Sequence, residues 1–126
     1  MIYIIPLLLF LYCCTSSEKE FIDIQSSNNP RTNSFLLQGI DALKQHNFIQ
    51  ALALADSAAI YATQDADIHF FKGRIYSELG RFKEAEQEYM KALKATPGYR
   101  GVWNNLGNNA YRQQNFSQAI DYYIQE

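Results

Sequence analysis

Four asparagines, Asn104, Asn105, Asn108 and Asn109, crowd one short stretch of this chain, and Asn104 and Asn108 stand one helical turn apart. A carboxamide offers both a donor and an acceptor. A row of them on one face can therefore pair with the backbone of an extended peptide whatever its sequence. Arg74 and Arg112 can add charge-assisted bonds to a carboxylate. The plainer reading is exposed polar filler, since helical register turns only Asn104 and Asn108 to a common groove-side surface. Cys13 and Cys14 are adjacent and cannot staple a globular domain. His46 and His69 have no second His or Cys at ligand spacing, so turn and packing roles are expected in place of a metal site. The chain has no phosphate-cradling glycine loop and no nucleophile elbow. The chemistry expected is recognition, with no catalytic residue, no metal, no cofactor and no small-molecule substrate.

Helices must position these groups. Trp103, Leu106, Gly107 and Ala110 recur at spacings of three and four, which sets them on one face of a first helix. Gln113-Gln114-Asn115 breaks the pattern, and Phe116, Ala119, Ile120 and Tyr123 resume it on a second. Two short helices joined by a tight turn make a hairpin with facing apolar stripes. Gly107 and Ala119 are small, and the expectation is that they let the two backbones approach closely. Stepping back 34 residues from Trp103, Gly107, Ala119 and Tyr123 reaches His69, Gly73, Ala85 and Tyr89, and a second step reaches Phe35, Gly39, Ala51 and Ala55. An aromatic residue, Phe48, Phe82 or Phe116, recurs at the head of each second helix.

The spacing W-x2-L-G followed by A-x3-Y, recurring at 34 residues, resembles the tetratricopeptide repeat, a helix–turn–helix unit. The resemblance covers about three quarters of the chain. It implies an all-α superhelical solenoid of three repeats at 32–65, 66–99 and 100–126, the last incomplete. The first repeat diverges most, with Gln38 for the usual Leu, Ala55 for a large aromatic and Thr63 for Pro, as terminal repeats commonly do. Its first helix is expected to start from the capping candidates Thr32, Asn33 and Ser34. In the second repeat Lys72 replaces Leu, where its stem can snorkel. Gly80 and Pro97-Gly98 stop helices there. Glu84, Glu86 and Glu88 with Lys83 and Lys91 read as a solvated face.

In this family the first helices of successive units line a concave groove. The resemblance places Asn33, Leu36, Ile40, Leu43 and Lys44 along it, then Asp67, Phe70, Arg74, Ser77 and Glu78, then Gly101, Asn104, Asn108, Tyr111 and Arg112. The groove thus passes from apolar to amide-rich. Phe70, Arg74, Glu78, Asn104, Asn108, Tyr111 and Arg112 are the candidate binding residues. Co-chaperone members of the family grip a terminal carboxylate with Lys and Asn in one helix, Asn in the next, then Lys and Arg. Here the Lys and Asn places hold Leu36 and Ile40, or Phe70 and Arg74 one repeat later, and only Asn105 matches. That clamp is rejected.

The N-terminus carries a different signal. Ile2–Tyr12 is an apolar run broken only by Pro6, too short for a membrane span, which takes roughly 20 residues, but the length of a signal-peptide core. No positive residue precedes it. Leu11-Tyr12-Cys13-Cys14 resembles a bacterial lipoprotein signal, with Leu11 three before an acylated Cys14. The resemblance implies residues 1–14 as signal, a lipid anchor at Cys14 and a membrane-anchored place in the cell envelope, on the periplasmic or outer-membrane side. The alternative is ordinary secretion with two incidental cysteines. Residues 15–31, rich in Ser, Asn and charge, read as a flexible tether.

A net charge of −2 gives no basic stripe and argues against nucleic acid. The chain stops at Glu126, where the family pattern has Ala, and no polar capping helix follows. The expectation is a fragment or a shortened reading frame, with Trp103, Tyr122 and Tyr123 poorly held. Function is expected to be a non-catalytic scaffold that binds a protein or peptide partner. The alternative is the sensor region of a longer enzyme whose catalytic domain lies elsewhere.

Overall fold

Six helices and the tight turns between them make up residues 29–126, which the computed structural model describes. They are α1 (Pro30–Lys44), α2 (Phe48–Ala59), α3 (Ala66–Glu78), α4 (Phe82–Ala95), α5 (Val102–Arg112) and α6 (Phe116–Gln125). The signal, Cys14 and most of the tether lie outside the described residues.

Helix α1 begins earlier than its caps suggested. Asn29 is the N-cap, its side chain accepting the Arg31 N–H at 3.0 Å. Pro30 follows at the first position, where a missing N–H costs nothing. The turns inside the three helix pairs repeat one geometry. His46, Gly80 and Gln114 take left-handed φ of 58°, 72° and 61°, each 34 residues after the last. The next N–H, of Asn47, Arg81 or Asn115, closes back on the carbonyl of Ala42, Tyr76 or Ala110 at 2.8–2.9 Å. Asn47 and Asn115 then cap α2 and α6, exchanging bonds with Gln50 and Gln118: each accepts the glutamine N–H at 3.3 Å and donates Nδ2–H to its Oε1 at 2.8 Å. In the middle turn Arg81 instead pairs with Glu84, at 2.8 Å from Nη2.

Helices α1 and α2, α3 and α4, and α5 and α6 pack as antiparallel pairs. Contacts between pairs join only neighbours, α3 on α1 and α2, α5 on α3 and α4. The core divides accordingly. Leu36, Ala51, Ala55, Ile68, Phe71 and Ile75 fill the space between the first two pairs. Phe70, Tyr89, Tyr99, Val102 and Leu106 fill that between the last two.

The crossing glycines make room for rings, a correction to the expected approach of bare backbones. An ideal Cβ on Gly73 would lie 2.5 Å from the Tyr89 ring, and one on Gly107 2.4 Å from Tyr123. In the first pair Ala55 stands at the tyrosine position, and the hollow over Gly39 is taken by Phe71 from α3, 2.7 Å from an ideal Cβ. The ring that repeat one lacks is supplied by repeat two.

The last pair is also tied more firmly than expected. Trp103 stacks on Tyr122 at 6.0 Å between centroids, and the Tyr122 hydroxyl donates to Glu86 Oε1 at 2.8 Å. The Glu126 carboxylate accepts the N–H groups of Gly101 at 2.8 Å and Asn104 at 3.2 Å, placing a negative charge at the N-terminus of α5.

Candidate functional site

A cleft of about 370 Å³ opens between α3 and α5. Arg74, Ser77 and Glu78 line it from α3, and Asn105, Asn108, Asn109, Tyr111 and Arg112 from α5. Positions 105, 108, 109 and 112 are spaced by three and four, so a single face of α5 carries them. Five of the seven expected groove residues line this cleft together: Arg74, Glu78, Asn108, Tyr111 and Arg112.

Two of the seven do not. Phe70 is buried, its ring 5.1 Å from Tyr99 and 5.8 Å from Tyr89, and it closes the floor beneath Gly101. Asn104 is exposed but lies one turn nearer the start of α5, beside Glu126 and outside the cleft lining. The apolar stretch assigned to the first repeat is no surface either, because Leu36 and Leu43 are buried in the core. Asn109 and Asn105 were not expected here. The signal that could have found them is their spacing to Arg112, which shares their face.

The floor of the cleft is a closed set of hydrogen bonds around Ser77. Its hydroxyl donates to the Gly73 carbonyl at 2.9 Å, one turn back. With that hydrogen used, Ser77 Oγ can only accept, and it takes Asn109 Nδ2–H at 2.8 Å and the Tyr89 hydroxyl at 3.2 Å. Burial is the main cause that pushes the Tyr89 phenol up to about 12, so it stays a donor at any physiological pH. Arg112 Nη1–H reaches the Ser77 carbonyl at 2.9 Å while its guanidinium lies over the Phe82 ring, 5.0 Å from the centroid. These contacts hold a normally mobile side chain at the rim.

A second polar cluster lies in the joint between the first two pairs and corrects the solvated-face reading. Glu88 is 8% exposed, and its carboxylate accepts from His69 Nδ1–H at 2.8 Å and Lys91 Nζ–H at 2.9 Å. Burial raises the Glu88 carboxyl, but the hydrogen bonds from His69 and Lys91 outweigh it and bring the pKa to about 2. Nearby Lys72 snorkels as expected, its ammonium 2.8 Å from Asp56 on α2.

The tetratricopeptide repeat family model matches residues 36–100, more than half of the chain. The chain is a tetratricopeptide repeat protein. Solved structures of the same architecture agree with its all-helical build. The crystal structure of MamA is 18% identical, with a TM-score of 0.66 over 74% of this chain. The tetratricopeptide repeat chain spans 54% of that MamA chain, about half. The second such domain of Spaghetti (RPAP3), bound to the HSP90 peptide SRMEEVD, is 14% identical, with a TM-score of 0.67 over 75% of this chain and 88% of its own. The N-terminal domain of stress-induced protein-1 (STI-1) from C. elegans is 22% identical, with a TM-score of 0.62 over 77% of this chain and 84% of its own. At these identities the likeness is one of fold. No curated protein matches the sequence.

Proposed function

We propose that this tetratricopeptide repeat chain is a non-catalytic scaffold that holds a partner protein by an extended segment laid between α3 and α5. The observation that supports it is the cleft itself, where two arginines, a glutamate and three carboxamides from two helix pairs face one opening. That set supplies donors and acceptors at main-chain spacing without any nucleophile or acid–base pair. A solved relative of the same fold, the RPAP3 domain, is bound to a peptide. The proposal extends to location: acylation of Cys14 would tether the array, through residues 15–31, on the outer side of a bacterial membrane.

Selection of displayed peptides on the intact chain tests the cleft. Enriched peptides should lose binding when Arg74→Glu or Asn108→Ala is introduced, and Leu37→Ala, on the exposed side of α1, should leave it intact. Peptides that bind all three variants equally would place recognition elsewhere. For the anchor, labelled palmitate should enter the wild type and Cys13→Ser but not Cys14→Ser. Labelling that survives Cys14→Ser, or is absent from the wild type, would remove the lipoprotein reading.

A further inference from the structure

The tyrosines that fill the glycine hollows do more than pack. Each ring crosses a glycine and delivers its hydroxyl to a cleft residue: Tyr89 over Gly73 to Ser77, and Tyr123 over Gly107 to Asn108 Oδ1 at 2.7 Å. A phenol is a far better donor than acceptor, so the Tyr123 bond turns the Asn108 carbonyl inward to it and leaves Nδ2–H2 for a ligand. Ser77 works in the opposite sense. Its hydrogen is committed to Gly73, so Asn109 must show it the amide NH2, which turns Asn109 Oδ1 outward. Asn105 donates Nδ2–H to the Gly101 carbonyl at 2.7 Å, which leaves its Oδ1 as an acceptor too.

We propose that Tyr123 and Ser77 are positioning residues that fix the polarity of the cleft amides, and that the cleft thereby selects an extended peptide carrying an acidic side chain. This rests on the peptide-binding reading above. The donors then lie together on the outer part of α5, Asn108 Nδ2 with Arg112, and face Arg74 of α3. The acceptors, Asn105 and Asn109 Oδ1, lie beside them and suit main-chain N–H groups. A carboxylate finds three donor side chains, two of them cationic, against the single opposing charge of Glu78. A lysine at the same place would meet two guanidiniums. The sequence alone presents each asparagine as usable in either sense, and it is the buried bonds behind them that decide.

The intact chain is titrated with three short peptides, blocked at both ends and identical except for glutamate, glutamine or lysine at their polar positions. Glutamate should bind about tenfold tighter than glutamine, with lysine weakest, as a hydrogen bond to a charged group predicts. Tyr123→Phe keeps the ring on Gly107 and frees the amide, so the glutamate preference should shrink with the melting temperature little changed. Asn108→Asp replaces the donors with a carboxylate and should reverse the preference. The side-chain amide resonances report on orientation without any ligand: Tyr123→Phe should move the Asn108 pair, and Ser77→Ala the Asn109 pair. Resonances that stay in place would overturn the positioning roles whatever binds. Moved resonances with equal binding of all three peptides would overturn the acidic selectivity. Moved resonances with no binding would leave the positioning standing and refute the peptide-binding reading together with the selectivity.

Discussion

Glu88 shows what a single residue can conceal. In sequence it is one of three acids spaced for a solvated helix face, and Glu84 does behave so, pairing with Arg81 in the open. Glu88, one turn on, faces α3, where His69 stands in a slot that the repeat pattern gives to an aromatic ring. The buried carboxylate and the histidine answer each other, and neither alone announces it. A pH dependence follows. The folded carboxyl, at about 2, lies below its ordinary value of 4.5. Its contribution to stability is therefore complete above about pH 4.5 and disappears as the pH falls towards 2. At about 1.4 kcal/mol per pKa unit the ceiling is roughly 3 kcal/mol, reduced by the part of the ion pair with Lys91 that water screens. Urea midpoints measured across that interval should fall more steeply for the wild type than for Glu88→Gln. Parallel slopes would mean that the pair with His69 does not persist in solution. The cleft residues divide along the same line. Arg74, Glu78, Asn108, Tyr111 and Arg112 could be named from register because they face outward. Phe70 shares that register but is drawn inward by Tyr89 and Tyr99, a contact between distant turns that periodicity does not encode.

At the scale of helices and turns the sequence was more open to reading. Six helices were implied by the 34-residue recurrence, and Gly80 marked its turn directly. The equivalent turns were harder to read because His46 and Gln114 stand where glycine would be favoured, yet the closing bonds to Ala42 and Ala110 hold them in the same left-handed conformation. An L residue there costs about 1–2 kcal/mol, somewhat less for residues with polar side chains. Replacing His46 or Gln114 by glycine removes that strain but adds freedom to the unfolded chain, an opposing term of up to about 1 kcal/mol. The net expectation is a gain of up to about 1 kcal/mol for Gln114→Gly, whose side chain makes no bond in the turn. His46→Gly should gain less, because its ring packs edge-on against Phe48 at 5.9 Å. Thermal or urea unfolding measures both, and a loss of stability in Gln114→Gly would show that the turn is not strained. The N-caps carry a related lesson. Asn-x-x-Gln recurs at residues 47–50 and 115–118, a signal as explicit as the glycine but overlooked beside the apolar pattern. The start of α1 was missed for the opposite reason, since Pro30 looks like the end of a linker until Asn29 is seen to cap it.

Across the whole molecule the two joints between helix pairs differ in kind, and the difference begins with one substitution. Where Ala55 replaces the tyrosine of the later repeats, Phe71 crosses from the second pair to fill the hollow over Gly39. The first joint is thereby sealed by a ring, flanked by Ile68 and Ile75. One period later Asn105 occupies the place of Phe71, and Tyr123 fills its own pair's glycine. The second joint keeps Val102 and Leu106 but completes itself with polar bonds from Asn109 and Arg112 to Ser77. In a linear array, stability is a sum of unit terms and nearest-neighbour interfaces, so damage to one joint should be felt on one side of it. Phe71→Ala opens a buried cavity and should cost about 3–5 kcal/mol. Because the ring serves the first pair more than its own, that cost should fall on α1 and α2. Native-state hydrogen exchange resolves it helix by helix. In Phe71→Ala the amides of α1 and α2 should lose most of their protection, while those of α5 and α6 keep wild-type rates, held by Tyr89, Tyr99 and the bonds around Ser77. Equal loss in all six helices would show instead that the array opens as a single unit, and that the ring crossing between repeats confers no local coupling.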